Sequence, residues 1–204
     1  NASTWIGRTY TAQAADAFNG KDYAKAAEIF AKGYEADPKN TDLALNLAMS
    51  YAEMGDMENA FKVYNEVIAL EGTHSKYKEP ADVAREKLGY YQSLDVSKAI
   101  EAKDYATAFS LMDNILAGDP DNAVIGMMYI QTATNQKDWD KVIAKAEAAA
   151  AAQTSEESKS DAYFLLGADY QNKENKPKAI EAYRKVTSGR NVSTAKTQIA
   201  ELRK

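Results

Sequence analysis

The 204-residue chain has no cysteine, a single histidine, four prolines, and ten glycines of which no two stand in a Gly-x-Gly arrangement. Without cysteine there is no disulfide and no thiolate metal site. With His74 alone, a zinc site would have to be built almost wholly from carboxylates, so His74 is read as a solvated loop residue and no metal is expected. The missing Gly-x-Gly excludes the usual dinucleotide fingerprint, and no phosphate loop in its usual form is found, so no cofactor is expected. The longest apolar run, AVIGMMYI at 123–130, is far too short to span a bilayer. A formal net charge of −5 gives no basic footprint for nucleic acid. Only residues 173–204 are locally basic, with nine Lys or Arg against three Glu, and they read as a solvated helix end. GDPDN at 118–122 suggests calcium only superficially, because Ile130 stands where an EF-hand loop needs a bidentate glutamate. The pair Glu156-Glu157 lies in TSEESKSD, read as an exposed inter-repeat loop with nothing to desolvate a catalytic carboxyl. No constellation for catalysis is found, and the chain is not expected to be an enzyme.

What remains is alanine-rich, poor in β-branched residues, and repetitive, a balance that favours helix. KDYAKAAEIFAKGYEADPKN at 21–40 is echoed by KDYATAFSLMDNILAGDPDN at 103–122. Related turns occur at GDM (55–57), KDW (137–139) and ENK (174–176). From Asp22 to Asp56 is 34 residues, and from Asp104 to Asp138 is again 34. Counted from these turns, a small position recurs at Ala26, Ala60, Ala108, Val142 and Ala179, and a larger one at Phe30, Tyr64, Met112, Ala146 and Tyr183. Upstream, Ala14, Ala48 and Gly167 hold a second small position from which Val96 and Ile130 depart, and Tyr51 and Tyr170 hold an aromatic one. Small residues allow close helix approach, and large ones fill the space between. Aspartate at the turn suits a helix N-cap, and Pro38 and Pro120 suit a helix end.

These columns resemble the tetratricopeptide repeat, a 34-residue helix–turn–helix unit. The resemblance implies an all-α fold, a right-handed α-solenoid of antiparallel helix pairs, as a single domain over 1–204. Repeats fall at 7–40, 41–74, 89–122, 123–156 and 160–193, the fourth being degenerate. A capping helix covers 194–204, its Ile199 and Leu202 turned to the last repeat. Residues 75–88, SKYKEPADVAREKL, are an insertion, read as lengthening the first helix of the third repeat from near Pro80, with a break at Gly89 as the alternative.

The resemblance implies a non-enzymatic adaptor holding a peptide or protein segment in the concave groove of the first helices. The family's groove positions fall on Arg8, Thr11, Phe18, Leu45, Met49, Tyr90, Ile100, Met127, Gln131, Asn135, Phe164, Gln171 and Asn172. The carboxylate clamp of chaperone-binding members is not expected, because Thr11 and Ala15 stand in place of a lysine and an asparagine, and Tyr90 and Leu94 in place of basic residues. The alternative is a structural module, a homo-oligomer or part of a cell-envelope assembly. An extracytoplasmic or periplasmic location is expected from the cysteine-free composition and the chain's start without methionine. The sequons Asn1-Ala-Ser and Asn191-Val-Ser bear only on a glycosylating pathway.

Overall fold

A computed structural model describes the backbone of residues 2–204 and the side chains of residues 5–204, so the Asn1 sequon lies outside the described residues. Eleven α-helices and no strand occur among them. They are α1 (Ala2–Asn19), α2 (Tyr23–Ala36), α3 (Thr41–Glu53), α4 (Met57–Ala69), α5 (Lys78–Glu101), α6 (Tyr105–Gly118), α7 (Ala123–Asn135), α8 (Trp139–Ala152), α9 (Glu156–Asn172), α10 (Lys176–Arg184) and α11 (Val192–Leu202).

One local device is written five times. The residue before each turn Asp or Asn takes a left-handed conformation: Lys21, Gly55, Lys103, Lys137 and Glu174, with φ between 58° and 81°. The backbone N–H of Asp22 then reaches the Ala17 carbonyl at 2.8 Å, and that of Lys21 reaches Phe18 at 3.0 Å, which closes α1 in a Schellman turn. The same two bonds close α3, α5, α7 and α9. Asp22, Asp56, Asp104, Asp138 and Asn175 next turn their side-chain oxygens onto the N–H three residues on and start the following helix. Lys-Asp at these turns is therefore a helix stop followed directly by a helix start. The Asp-Pro-x-Asn segments work similarly between pairs: Asp37 and Asp119 end α2 and α6, while Asn40 and Asn122 cap α3 and α7.

The chain divides into two compact units, residues 1–92 and 93–204. In the first, α1, α2, α3 and α4 pack in sequence order. Their interior gathers Ala14, Ala26, Phe30, Leu43, Leu47, Ala48, Ala60, Tyr64 and Val67. Ala14, Ala26, Ala48 and Ala60, the small positions, are 0% exposed. Two 3₁₀ turns, Glu71–Thr73 and Ser75–Tyr77, precede α5, and an ion pair from Arg85 to Glu71 ties the first of them to that helix. The helix α5 runs unbroken through Gly89, giving residues 78–92 to the first unit and 93–101 to the second. Tyr91 is buried in the first unit, its hydroxyl donating to Glu53 at 2.9 Å.

The second unit adds α6 to α11, again packed in order from α6 onward. Its interior forms three clusters, around Val96, Ala108 and Met112, around Ile130, Val142, Ala146 and Leu166, and around Ala179, Tyr183 and Ala195. The alanine run of α8 buries Ala149 and Ala150, and a Cβ added at Gly126 would lie 3.3 Å from Ala149, so α7 and α8 approach closely there. On α11, Val192, Ile199 and Leu202 pack against the last cluster. One expectation is corrected. TSEESKSD is mostly helical, because Ser155 caps α9 through the Ser158 N–H at 3.1 Å and Glu156 and Glu157 stabilise its positive end. Ser160, which this extension buries, accepts the N–H groups of Thr187 and Ser188 at 3.1 and 3.0 Å, supporting the loop that follows the short α10.

Candidate functional site

The positions expected from the resemblance lie on first helices, where residues three and four apart share one side. In the first unit, Arg8, Thr11 and Ala15 follow that spacing on α1, and Asp42 and Asn46 follow it on α3. They line an open cleft of about 840 Å³, together with Lys39 from the α2–α3 connection and Lys76 and Tyr77 from the second 3₁₀ turn. A Cβ at Gly7 would meet the Asn40 amide at 2.7 Å, so α1 runs tight against the connection that caps α3. The Asn46 amide donates to the Asp42 carbonyl at 2.8 Å. Of the other first-unit positions, Phe18 and Leu45 are half-buried against the core, with the Phe18 ring edge-on to Tyr23 and Phe30. Met49 is half-buried, while Tyr90 is 61% exposed and edge-on to Tyr91.

In the second unit, Ile100, Gln131 and Asn135 line one open cleft of about 310 Å³ with Ser97, Glu101, Met128 and Thr132. The last turns of α5 and α7 thus put an apolar side chain beside two amides. Met127 is half-buried against the Ile130 cluster, and the Phe164 ring lies 5.7 Å from that of Tyr183. Gln171 accepts the Tyr183 hydroxyl at 3.0 Å, and the Asn172 amide donates to the Ala168 carbonyl at 2.9 Å, so both side chains are already engaged.

Sequence reasoning did not single out Lys39, Lys76 and Tyr77, which reach the first cleft from connections. It also missed Asp169. This carboxyl is 0% exposed, with one oxygen accepting from Thr134 at 3.3 Å and the other without a hydrogen-bond partner. Burial pushes it up to about 7, against the opposing pull of the Thr134 hydroxyl. A signal existed. Two residues after the small first-helix position, the second and fourth repeats place Ser50 and Thr132, both buried and polar, whereas the first and third place the exposed Asp16 and Lys98. Ser50 satisfies itself on the Asn46 carbonyl at 2.8 Å, which an ionised carboxylate has no proton to do.

No group of three or more His, Cys, Asp or Glu among the described residues is placed to hold a metal, and none of their helices is long and apolar enough to cross a membrane. The His74 ring accepts the Lys76 N–H at 3.1 Å. Asn191 of the second sequon donates its amide to Asp161 at 2.8 Å and is half-buried.

Antiparallel helix pairs closed by one recurring turn, with small residues at fixed columns, define a helical-repeat protein. The chain belongs to the tetratricopeptide repeat family, whose profile matches residues 17–79 and 99–163. No curated protein matches it in sequence. Among solved structures it is similar to the TPR domain of P58(IPK), at 13% identity over 97% of this chain and 64% of that one, with a TM-score of 0.49. It is similar to YrrB, described as a TPR protein with an unusual peptide-binding site, at 14% identity over 95% and 90% of the two chains and a TM-score of 0.43. MamA from Desulfovibrio magneticus RS-1 matches at 16% identity over 89% and 93%, with a TM-score of 0.38. Membership in the family rests on the repeat profile and the helix-pair register, not on these superpositions.

Proposed function

We propose that the chain is a non-enzymatic interaction module, its five repeats at 7–40, 41–74, 89–122, 123–156 and 160–193 taking a peptide or protein segment on their first-helix surfaces. The family to which it belongs consists of protein-interaction repeats, which supports the class of function. The observation that carries the reading is the cleft shared by Ile100, Gln131 and Asn135. Positions assigned from two different repeats line one concavity there, joining an apolar contact to amides that can pair with a ligand's main chain. Met128 in the same cleft adds an adaptable apolar wall. YrrB, with its own peptide-binding site, is a precedent for this use of the fold. An extracytoplasmic location belongs to the same proposal, supported by the cysteine-free composition and tested by fractionating cells that express the full-length gene product.

The test is capture of partners from native extract by the wild-type chain and by Ile100→Asp combined with Asn135→Ala. Asn135 is exposed, whereas Ile100 also packs against the Val96 cluster. Asn135→Ala alone should therefore hold the melting temperature while weakening a captured band, and the double variant, checked to be folded, should lose it. If every band survives in the double variant, the assignment of these surfaces is wrong. Sedimentation over a range of concentrations checks the self-associating alternative, which a monomer at all of them would exclude.

A further inference from the structure

The first-unit cleft differs from that of the second in charge. Three cations, Arg8, Lys39 and Lys76, line it against one acid, Asp42, in a chain of net charge −5. They come from three separate segments: α1, the α2–α3 connection, and a turn of the insertion. We propose that this cleft binds an acidic peptide segment of a partner protein, with the three cations neutralising side-chain carboxylates spread along an extended ligand. The inference rests on the reading above, that first-helix surfaces take a peptide, and names the chemistry of that peptide for the first unit.

Charge complementarity is the main argument, and the state of the cations sharpens it. Elsewhere in this unit Lys32 pairs with Glu28, Lys78 with Asp82, and Arg85 with Glu71 and Asp82, while Lys21, Lys25, Lys62 and Lys87 form no ion pair among the described residues but line no common concavity with the three. Among the described residues, Arg8, Lys39 and Lys76 form no ion pair. Three unneutralised like charges around one concavity repel each other, and the cost is relieved when an anion enters. In the locally basic C-terminal region Lys173 pairs with Asp140 and Lys185 with Glu147, while Lys176, Arg184 and Lys196 form no ion pair among the described residues and lie outside this cleft, which makes them the comparison for charge alone.

Lys76 is also held in place. Its turn is anchored by Tyr77, 6% exposed, whose ring lies 4.6 Å below the Lys76 ammonium, and its N–H is donated to His74. A fixed cation loses less entropy on pairing than a free one. Ala12 and Ala15 leave the α1 wall low, so a main chain can approach closely. The open form of the cleft and its volume of about 840 Å³ suit an extended segment. This is not the carboxylate clamp that the sequence lacks, since two of its three cations lie off the first helices.

Fluorescence anisotropy of the full chain tests this with a labelled, C-terminally amidated peptide of alternating Glu and Gly, and a counterpart with Gln for every Glu. The Glu peptide should bind at low salt and weaken as salt rises. The Gln peptide, and the variant Arg8→Ala/Lys39→Ala/Lys76→Ala with the Glu peptide, should each bind roughly tenfold or more weakly. A control with the same change of net charge, Lys176→Ala/Arg184→Ala/Lys196→Ala, should bind like the wild type. No binding of the Glu peptide, equal weakening in the control, or displacement by inorganic phosphate at the concentration of the peptide would each overturn the proposal. So would a gain of affinity that appears only with a free C-terminal carboxylate. If the peptide fails while the Ile100 variant still loses its captured partner, this inference falls and the general reading stands. If capture is unaffected by any substitution, the general reading falls by itself.

Discussion

The first unit fills its helix pairs as the repeat pattern expects, while the second fills the same columns with almost every other combination. Facing small and large positions read Ala14/Phe30 and Ala48/Tyr64 in the first unit, and Val96/Met112, Ile130/Ala146 and Gly167/Tyr183 in the second. Both members of each pair are buried. As the first-helix residue grows from glycine to alanine, valine and isoleucine, its second-helix partner shrinks from an aromatic ring to methionine and then alanine. The Gly167 pair shows why: a Cβ there would sit 2.6 Å from the Tyr183 ring. Ile130 and Ala146 lie in one cluster, as do Val96 and Met112. What the fold requires is a filled volume between two backbones, and the second unit meets it by exchanging size across the pair. Repeat four, degenerate by its residues, is regular by its volume.

Reversing that exchange is the strongest way to break the comparison. Ile130→Ala should cost about 2–5 kcal/mol by leaving a cavity opposite Ala146. Ala146→Phe alone should cost roughly 1–3 kcal/mol through overpacking. Together they recreate the Ala14/Phe30 pair of the first repeat, and the double variant should recover much of the loss, a coupling of about 0.5–3 kcal/mol. Denaturant unfolding in a Trp5→Phe background, followed through Trp139 on the same helix as Ala146, measures all three. Additive losses would mean that the two positions do not share one space.

That exchange also explains what was legible in the sequence. The turns were visible because Asp at an N-cap has a local chemical reason that needs no partner. The alanine columns were visible because close approach leaves few alternatives. Val96 and Ile130 looked like departures because a single column cannot show its compensation in the facing helix. Ser155 was passed over because TSEESKSD has the composition of a loop, although a serine followed by two glutamates is also a helix start. Among groove positions, the ends of α5 and α7 came together as a cleft. Gln171 looked as available as Gln131, yet it meets the Tyr183 hydroxyl. Lys39 and Lys76 lay in connections, where no repeat column points to a shared cavity.

A second difference between the units is their buried polar cost. The lone buried side-chain polar atom without a hydrogen-bond partner in each, among the described residues, is the Tyr64 hydroxyl in the first and one Asp169 oxygen in the second. Only the second is ionisable near neutrality. Tyr183, on α10, is the charged or titratable group that interacts with it, and Thr134, on α7, is its hydrogen-bond donor. Because the folded value is raised to about 7 from the ordinary 3.8, the protonated form favours folding. That contribution is complete below the unfolded value and is lost as pH rises through 7, with a slope of at most about 1.4 kcal/mol per pH unit. Melting of the second unit should therefore fall between pH 4 and 7 by more than carboxylates elsewhere can explain. Asp169→Asn, which keeps the shape without the charge, should flatten that fall and raise stability at pH 8. An unchanged pH profile in this variant would mean that Asp169 does not carry it.

The smallest expected effect concerns the five left-handed turn positions. Gly55 serves the first unit beside Lys21, whereas the second unit uses Lys103, Lys137 and Glu174 and has no glycine at any of its three. A side chain in this conformation costs roughly 1–2 kcal/mol, and glycine in exchange loses about 0.5–1 kcal/mol of backbone entropy on folding. Gly55→Ala, with nothing within 4 Å of the added Cβ, therefore isolates the backbone term and should destabilise by about 1 kcal/mol. Lys137→Gly should do the reverse by a few tenths to about 1 kcal/mol, visible as a small rise in Tm. Lys103→Gly and Glu174→Gly should follow it, because all three sit in the same pair of Schellman bonds. If the lysine substitutions destabilise as glycine does inside a helix, then these side chains contribute contacts that outweigh the strain, and the turns of the two units are not interchangeable.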